Sequence, residues 1–237
     1  MRAGTFSSSN IYKLMTNGKK AGEVGAPFKT YVKETQLEMR LGRALTTEGS
    51  TRPALWGTFV EAYVHDNHIG LNWELCSQDR LAHSYIPNWT GAPDLLDLEG
   101  DTVGDIKCPA IKNFCELSDI CAIGDVFELR KSYPEYFWQL VSNACLTDVQ
   151  HAELIVFCPY QHELQAIKDL AVAVADKRFS WIGYADDSEL PYLIEGRHYK
   201  NVARMRFLVT EEMETELTER VKLAVKQLGV SEYATQD

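Results

Sequence analysis

The sequence predicts an α/β domain, and three observations carry that expectation. The segments "ALWGTFVEAYVHDNH" and "EYFWQLVSNACL" place apolar residues at helical spacing. "HAELIVFCPY" holds a short apolar run, Leu154 to Phe157, bounded by Pro159, as a buried strand does. "TGAPDLLDLEGDTVGDIKCP", Thr90 to Pro109, alternates with the period of two that marks paired strands. With 237 residues and 45% hydrophobic content the chain can bury a substantial core.

In chain order, "TNGKKAGEVGAP" (Thr16 to Pro27) is loop-like and basic. "FKTYVKETQLEMRLGR" contains helix formers and no breaker until Gly42, so a helix is expected there. "TTEGSTRP" (Thr46 to Pro53) is a second loop. The next helix carries the stripe Leu55, Trp56, Phe59, Val60, Tyr63 and Val64, with Glu61 on the opposite face, one turn beyond Gly57. The strand pair follows, then a helix with the stripe Tyr136, Phe137, Leu140, Val141, Ala144 and Cys145. There Gln139 lies opposite the stripe, one turn before Asn143. After the buried strand, "RHYKNVARMRFLV" carries enough charge for an edge strand. Met213, Leu217, Val221, Ala224 and Leu228 mark a last helix from about Glu211 to Leu228. With no internal repeat or low-complexity linker, residues 1–237 are expected as one domain: a helical part over about 1–70, a core over about 71–210 and the closing helix over about 211–230.

Composition narrows the function. A net charge of −10 and a pI near 5.1 argue against a broad nucleic-acid surface, though a narrow groove remains compatible. Six cysteines without a CxxC pair read as reduced, buried thiols rather than a zinc or iron–sulfur site. No run of about 18 apolar residues exists, and "MRAGTFSSSN" lacks the apolar core of a signal peptide, so a cytoplasmic protein with no membrane partner is expected.

The strand pair poses a physical problem. With Glu99-Gly100 as a two-residue turn, Leu98 faces Asp101, Leu96 faces Val103 and Asp94 faces Asp105, while Asp101, Val103, Asp105 and Lys107 share one face. Carboxylates paired across strands repel. A divalent cation between them reverses the sign. Singly, these residues have ordinary explanations: a turn aspartate, an exposed salt-bridge face, solvated helix positions. The "HDNH" cluster (His65 to His68) is read as a helix end and "ADDSELP" (Ala185 to Pro191) as a solvated loop. Together, a carboxylate after Pro93 and a second carboxylate with Lys107 form the pattern P-D-x(n)-D-x-K. Its hard oxygen ligands suit Mg²⁺ or Mn²⁺, and its lysine can orient a water and stabilise developing negative charge.

These residues resemble the PD-(D/E)XK nucleases, and "GDIKCP" looks like the lambda-exonuclease branch, including the YqaJ-type viral recombinases. "RAGTFSSSNIYKLM" resembles that branch's opening motif, which implies a 5′-phosphate site at Arg2 and Ser9. "ALWGTFVE" is similar to its helix bearing the third acidic ligand, here Glu61. "YFWQLVSNACLTDVQHAELIVFCPY" looks like its glutamine-centred helix and following strand, which places Gln139 beside the site. The resemblance implies a restriction-endonuclease-like core, a central mixed sheet flanked by helices. It also implies two Mg²⁺ ions (Mn²⁺ as a substitute) held by Glu61, Asp94, Asp105 and the Ile106 carbonyl. Lys107 would position the attacking water, and Gln139 would hold Lys107 or that water. The implied activity is 5′-to-3′ digestion of linear duplex DNA ends in phage-type recombination. The implied partners are a single-strand annealing protein of the RecT or Beta type and copies of the chain in a toroidal trimer. Lys13, Lys19, Lys20, Arg52 and Lys112 are candidates for its DNA channel.

Three other readings stay open. A RecB- or Cas4-like enzyme would act on single strands, a structure-selective endonuclease would cut closed circles, and a catalytically idle DNA-binding or assembly module would bind no metal.

Overall fold

The computed structural model describes residues 3–45, 51–68, 73–75, 80–97 and 99–229. A short strand, β1 (Phe6–Ser7), leads through a 3-10 helix (Ser8–Met15) to two long helices, α1 (Ala26–Leu41) and α2 (Arg52–His68). Four short strands follow: β2 (Glu74–Leu75), β3 (Leu81–Ala82), β4 (Trp89–Gly91) and β5 (Leu95–Asp97). The longer β6 (Thr102–Lys107) connects through α3 (Ile111–Ile123), α4 (Val126–Ser132) and α5 (Pro134–Thr147) to β7 (His151–Phe157). Helices α6 (Leu164–Ala173) and α7 (Ser180–Tyr184) precede β8 (Val202–Leu208), and α8 (Glu211–Leu228) follows.

The central sheet runs β2-β5-β6-β7-β8, antiparallel except for the parallel pair β6–β7. A mixed sheet flanked by helices is the architecture the family resemblance implies. Strand alternation supplies both faces with apolar side chains. Val103, Leu154, Val156 and Phe207 join one core with Phe114, Phe137, Leu140 and Leu217 from α3, α5 and α8. Leu95, Ile106, Ile155 and Phe157 join the other with Trp56, Val60, Ile167 and Ile182 from α2, α6 and α7. The sheet is therefore covered on both sides, which explains why β7 reads as a continuous apolar run. A second sheet, β1-β4-β3, ties the start of the part expected to be helical to the strand preceding Asp94.

Helix ends follow local chemistry. Pro27 sits in the first turn of α1, and Gly42 closes that helix in the left-handed region at φ 64°. Thr210 caps α8 by accepting from the Met213 N–H, and Gly229 closes it at φ 73°. The edge position expected for β8 is observed, with Met205 and Phe207 turned inward and Arg204 and Arg206 outward. The strand starts at Val202, after the charged Arg197–Lys200 stretch expected to belong to it.

The β5–β6 register agrees with expectation where it is described: Leu96 pairs with Val103. The turn differs. Asp97–Thr102 is the last pair, so four residues connect the strands rather than two, and the expected Leu98 partnership lies outside the described residues. Asp101 does not share the strand face. It adopts φ 49° in the connection, where its carboxylate accepts the Gln150 N–H at 3.0 Å. Asp94 also stops short of the ladder. The backbone bends there, because the preceding Pro93 has no N–H to give to a strand. The loop expected over Thr46 to Pro53 lies outside the described residues up to Ser50.

Candidate active site

The end of β6 organises the polar residues. Asp105 and Lys107 alternate with Ile106, so both face the α5 side while Ile106 is buried toward α2. Asp94 sits just before β5, and its Oδ2 accepts the Ile106 N–H at 2.8 Å. That side-chain bond holds the second carboxylate beside Asp105. Glu61 comes from α2 on the other face of the sheet. Trp56, Phe59, Val60 and Val64 anchor that helix in the core and leave Glu61 half-buried.

Asp105 is fully buried, at 0% exposure, and a buried carboxylate needs partners. Gln139 on α5 donates from Nε2 to Asp105 Oδ1 at 2.8 Å. Lys107 Nζ is ion-paired with Asp105 Oδ2 and stands 5.5 Å from the centre of the Tyr136 ring. Of the two partners expected from sequence, Lys107 or the attacking water, Gln139 does not bond Lys107; it bonds the carboxylate that Lys107 pairs with. It reaches Asp105 because α5 is buried almost all round, with Trp138, Ser142 and Asn143 enclosed as well as the apolar stripe. Ser142 accepts from Trp89 Nε1 at 2.7 Å and bonds Ser8 Oγ at 2.8 Å, which docks α5 on β4. Gly91 permits that approach: a Cβ there would lie 2.7 Å from Asn143 Oδ1.

The electrostatics record the crowding. Burial pushes Glu61 up to about 7, with the Asp94 charge adding and Lys107 opposing. Burial likewise drives Asp105 up, to about 8; Lys107 pulls it down, while Asp94 and Glu61 push it further up. Burial alone would lower the Lys107 ammonium, but Asp105, Asp94 and Glu61 outweigh it and the net shift is upward. Three carboxylates and one ammonium therefore share a poorly hydrated space. Hard carboxylate oxygens around surplus negative charge suit a divalent cation such as Mg²⁺ or Mn²⁺. Among the described residues no three His, Cys, Asp or Glu side chains already form a metal cage. The Asp105 carboxylate is instead closed by Lys107.

The remaining sequence candidates are more scattered. Arg2 lies outside the described residues. Ser9 is exposed on the 3-10 helix, 3.2 Å from Ser7 Oγ, while its neighbour Ser8 is buried against Thr90. Lys13 stands over the Tyr31 ring. Lys19 and Lys20 line a surface recess with Lys29, and Lys112 pairs with Glu116 at 3.7 Å. Arg52 is different: it lines a cavity together with Glu61 and Lys107. At the "HDNH" helix end, His68 Nε2 lies 2.9 Å from Glu163 Oε1. Tyr136, expected in the apolar stripe opposite Gln139, instead lies beneath Lys107, since a residue three positions before Gln139 falls on a neighbouring part of the same helix face.

No family model and no curated protein sequence matches the chain. Solved structures do match in fold. LHK-Exo in complex with dAMP is 16% identical with a TM-score of 0.63, covering 96% of this chain and 89% of that one. A second structure of this alkaline exonuclease, from Laribacter hongkongensis, gives 17% identity and a TM-score of 0.62 over the same shares. A phage related exonuclease from Haemophilus somnus 129PT gives 16% and 0.65, covering 94% of this chain and 93% of that one. Across nearly its whole length, the chain has the fold of these exonucleases.

Proposed function

We propose that this chain is a metal-dependent DNA exonuclease that digests linear duplex from its ends, 5′ to 3′. The observation that carries this reading is the gathering of Glu61, Asp94, Asp105 and Lys107 around the end of β6, in a fold shared with solved exonucleases. Glu61, Asp94 and Asp105, with the Ile106 carbonyl, would hold Mg²⁺ or Mn²⁺, two ions in this reading. When bound, such ions neutralise charge on the scissile phosphate and favour ionisation of a water. Gln139 keeps Asp105 oriented through its 2.8 Å bond. Lys107 is the cation available to orient a nucleophilic water and to stabilise charge developing on phosphate oxygens. For it to do so, its ion pair with Asp105 must open when substrate and metal enter.

A protein with surplus acidic charge needs another means of keeping hold of DNA, and a ring of three copies around the duplex would provide one. A single-strand annealing protein would then take the 3′ strand left behind, in phage-type recombination.

The test that separates these readings uses 5′-phosphorylated linear duplex and a covalently closed circle of the same sequence, each incubated with Mg²⁺. Wild type should shorten the linear DNA and spare the circle, and Asp105→Asn and Lys107→Ala should each lose at least about 100-fold in rate. Undiminished digestion by both variants would remove the assignment. Cutting of the circle would favour the endonuclease reading, and no digestion by wild type would favour the idle module.

A further inference from the structure

A cavity of about 570 Å³ opens beside the charged cluster, with Glu61 and Lys107 in its wall. That lies within the roughly 300–1,000 Å³ of pockets that enclose small organic ligands. The rest of the wall is unlike a phosphate site. Trp56, Tyr136 and Trp181 bring three aromatic side chains, and Arg52 and Glu189 contribute opposite charges at the rim. The Arg52 guanidinium lies 5.2 Å from the centre of the Trp181 ring, and no carboxylate pairs with it among the described residues. The Trp181 Nε1 is closed off and makes no hydrogen bond among the described residues, so the indole offers the cavity its ring rather than its N–H. Gly57 leaves the α2 side open: a Cβ added there would meet nothing within 4 Å.

Hydrolysis of a phosphodiester needs charge and hydrogen bonding, and aromatic rings supply neither. What they offer is a π face, which every nucleobase also has. We propose that this cavity is a nucleobase subsite. It receives the base of the nucleotide whose phosphate meets Glu61 and Lys107, stacked on the outer face of the Arg52 guanidinium, whose other face lies over Trp181. The inference rests on the DNA-hydrolase reading above and adds the group recognised and the residues that recognise it. Because stacking is sequence-tolerant, the subsite takes any base and imposes little sequence preference.

The test compares two probes on the metal-free full chain by calorimetric titration: dAMP, and 2-deoxyribose 5-phosphate, which lacks the base. Wild type should bind dAMP at least about tenfold more tightly, the gain expected of one stacked base. Trp181→Ala should abolish that preference, and so should Gly57→Leu, which fills the cavity from a position with free space around it. Lys20→Ala, in a separate surface recess, should retain it. No binding of dAMP at millimolar concentration, equal binding of both probes to wild type, or a preference surviving Gly57→Leu would overturn the subsite. If Trp181→Ala fails to fold, Gly57→Leu decides alone. Digestion of duplex DNA with Mg²⁺ is scored separately. Digestion without base preference removes only the subsite, whereas base preference without digestion removes only the hydrolase reading.

Discussion

Gln139 and Asp105, 34 residues apart in sequence, are joined by a 2.8 Å hydrogen bond that ties α5 to the buried end of β6. Among the described residues, the one charged partner of that carboxylate is Lys107. Gln139→Leu therefore removes half of Asp105's support. Urea unfolding of the metal-free variant should show a loss of about 1–3 kcal/mol. On the proposed role of Asp105 in holding a metal, Gln139 would be its outer partner, and Gln139→Leu should also weaken Mn²⁺ affinity about 10–100-fold.

Lys107→Met leaves Asp105 buried without a cation. Breaking a buried ion pair from one side costs about 3–5 kcal/mol, and here the loss should depend on pH. At pH 6 the carboxyl, already pushed upward by burial, takes up a proton and escapes most of the penalty. At pH 9 it cannot. Urea midpoints at the two pH values should diverge for the variant and much less for wild type.

The same shifts predict the behaviour of the metal-free wild type. Glu61 and Asp105 have folded-state values raised to about 7 and about 8, chiefly by burial. A carboxyl raised on folding contributes stability that is complete below its unfolded value and is lost as pH climbs through the folded one. Lys107, also raised, contributes fully throughout this range and is lost only at much higher pH. Metal-free Tm should therefore fall between pH 5 and 9. Mn²⁺ affinity should rise over the same window, with proton release visible as a dependence of binding heat on buffer.

Glu163 provides a structural control away from the site. Nine per cent exposed, it accepts from the Tyr160 N–H at 2.7 Å, Asn201 Nδ2 at 3.1 Å and the Tyr63 hydroxyl at 3.3 Å, and it also contacts His68. Tyr63 and His68 belong to α2, two and seven residues after Glu61. Glu163→Ala should cost about 1–3 kcal/mol or more, with faster amide exchange in the last turns of α2.

Gly57→Ala should act in the opposite direction. The position is helical and open, so the change should stabilise by about 1 kcal/mol through helix propensity alone. A shift in thermal unfolding of wild type against the variant checks it.

Much of this organisation is legible in the sequence because it rests on short-range periodicity. The period of two places Leu96 against Val103 once a turn is granted, and α8 carries its own punctuation in Thr210 and Gly229. Legibility fails where distant residues decide the environment. Ser142 and Asn143 look like a solvated helix face until Trp89 and Ser8 arrive from elsewhere in the chain. Beta7 begins earlier than its apolar run because polar His151 and Glu153 are matched by Asp101 and Arg204 on neighbouring segments. The carboxylate–lysine pattern is visible as spacing, but Gln139's choice of Asp105 over Lys107 is not. Nor does any local pattern place Trp181 and Arg52 beside Glu61 and Lys107, since they meet only after both faces of the sheet are covered.

The central claim is that Glu61, Asp94 and Asp105 tolerate one another's charge because divalent ions join them during function. Titration of Mn²⁺ into the wild-type chain, and into Asp94→Asn and Asp105→Asn, measures this directly. The account predicts saturable binding by wild type that each substitution weakens at least about tenfold. Wild type that binds no Mn²⁺, or three superimposable isotherms, would contradict it.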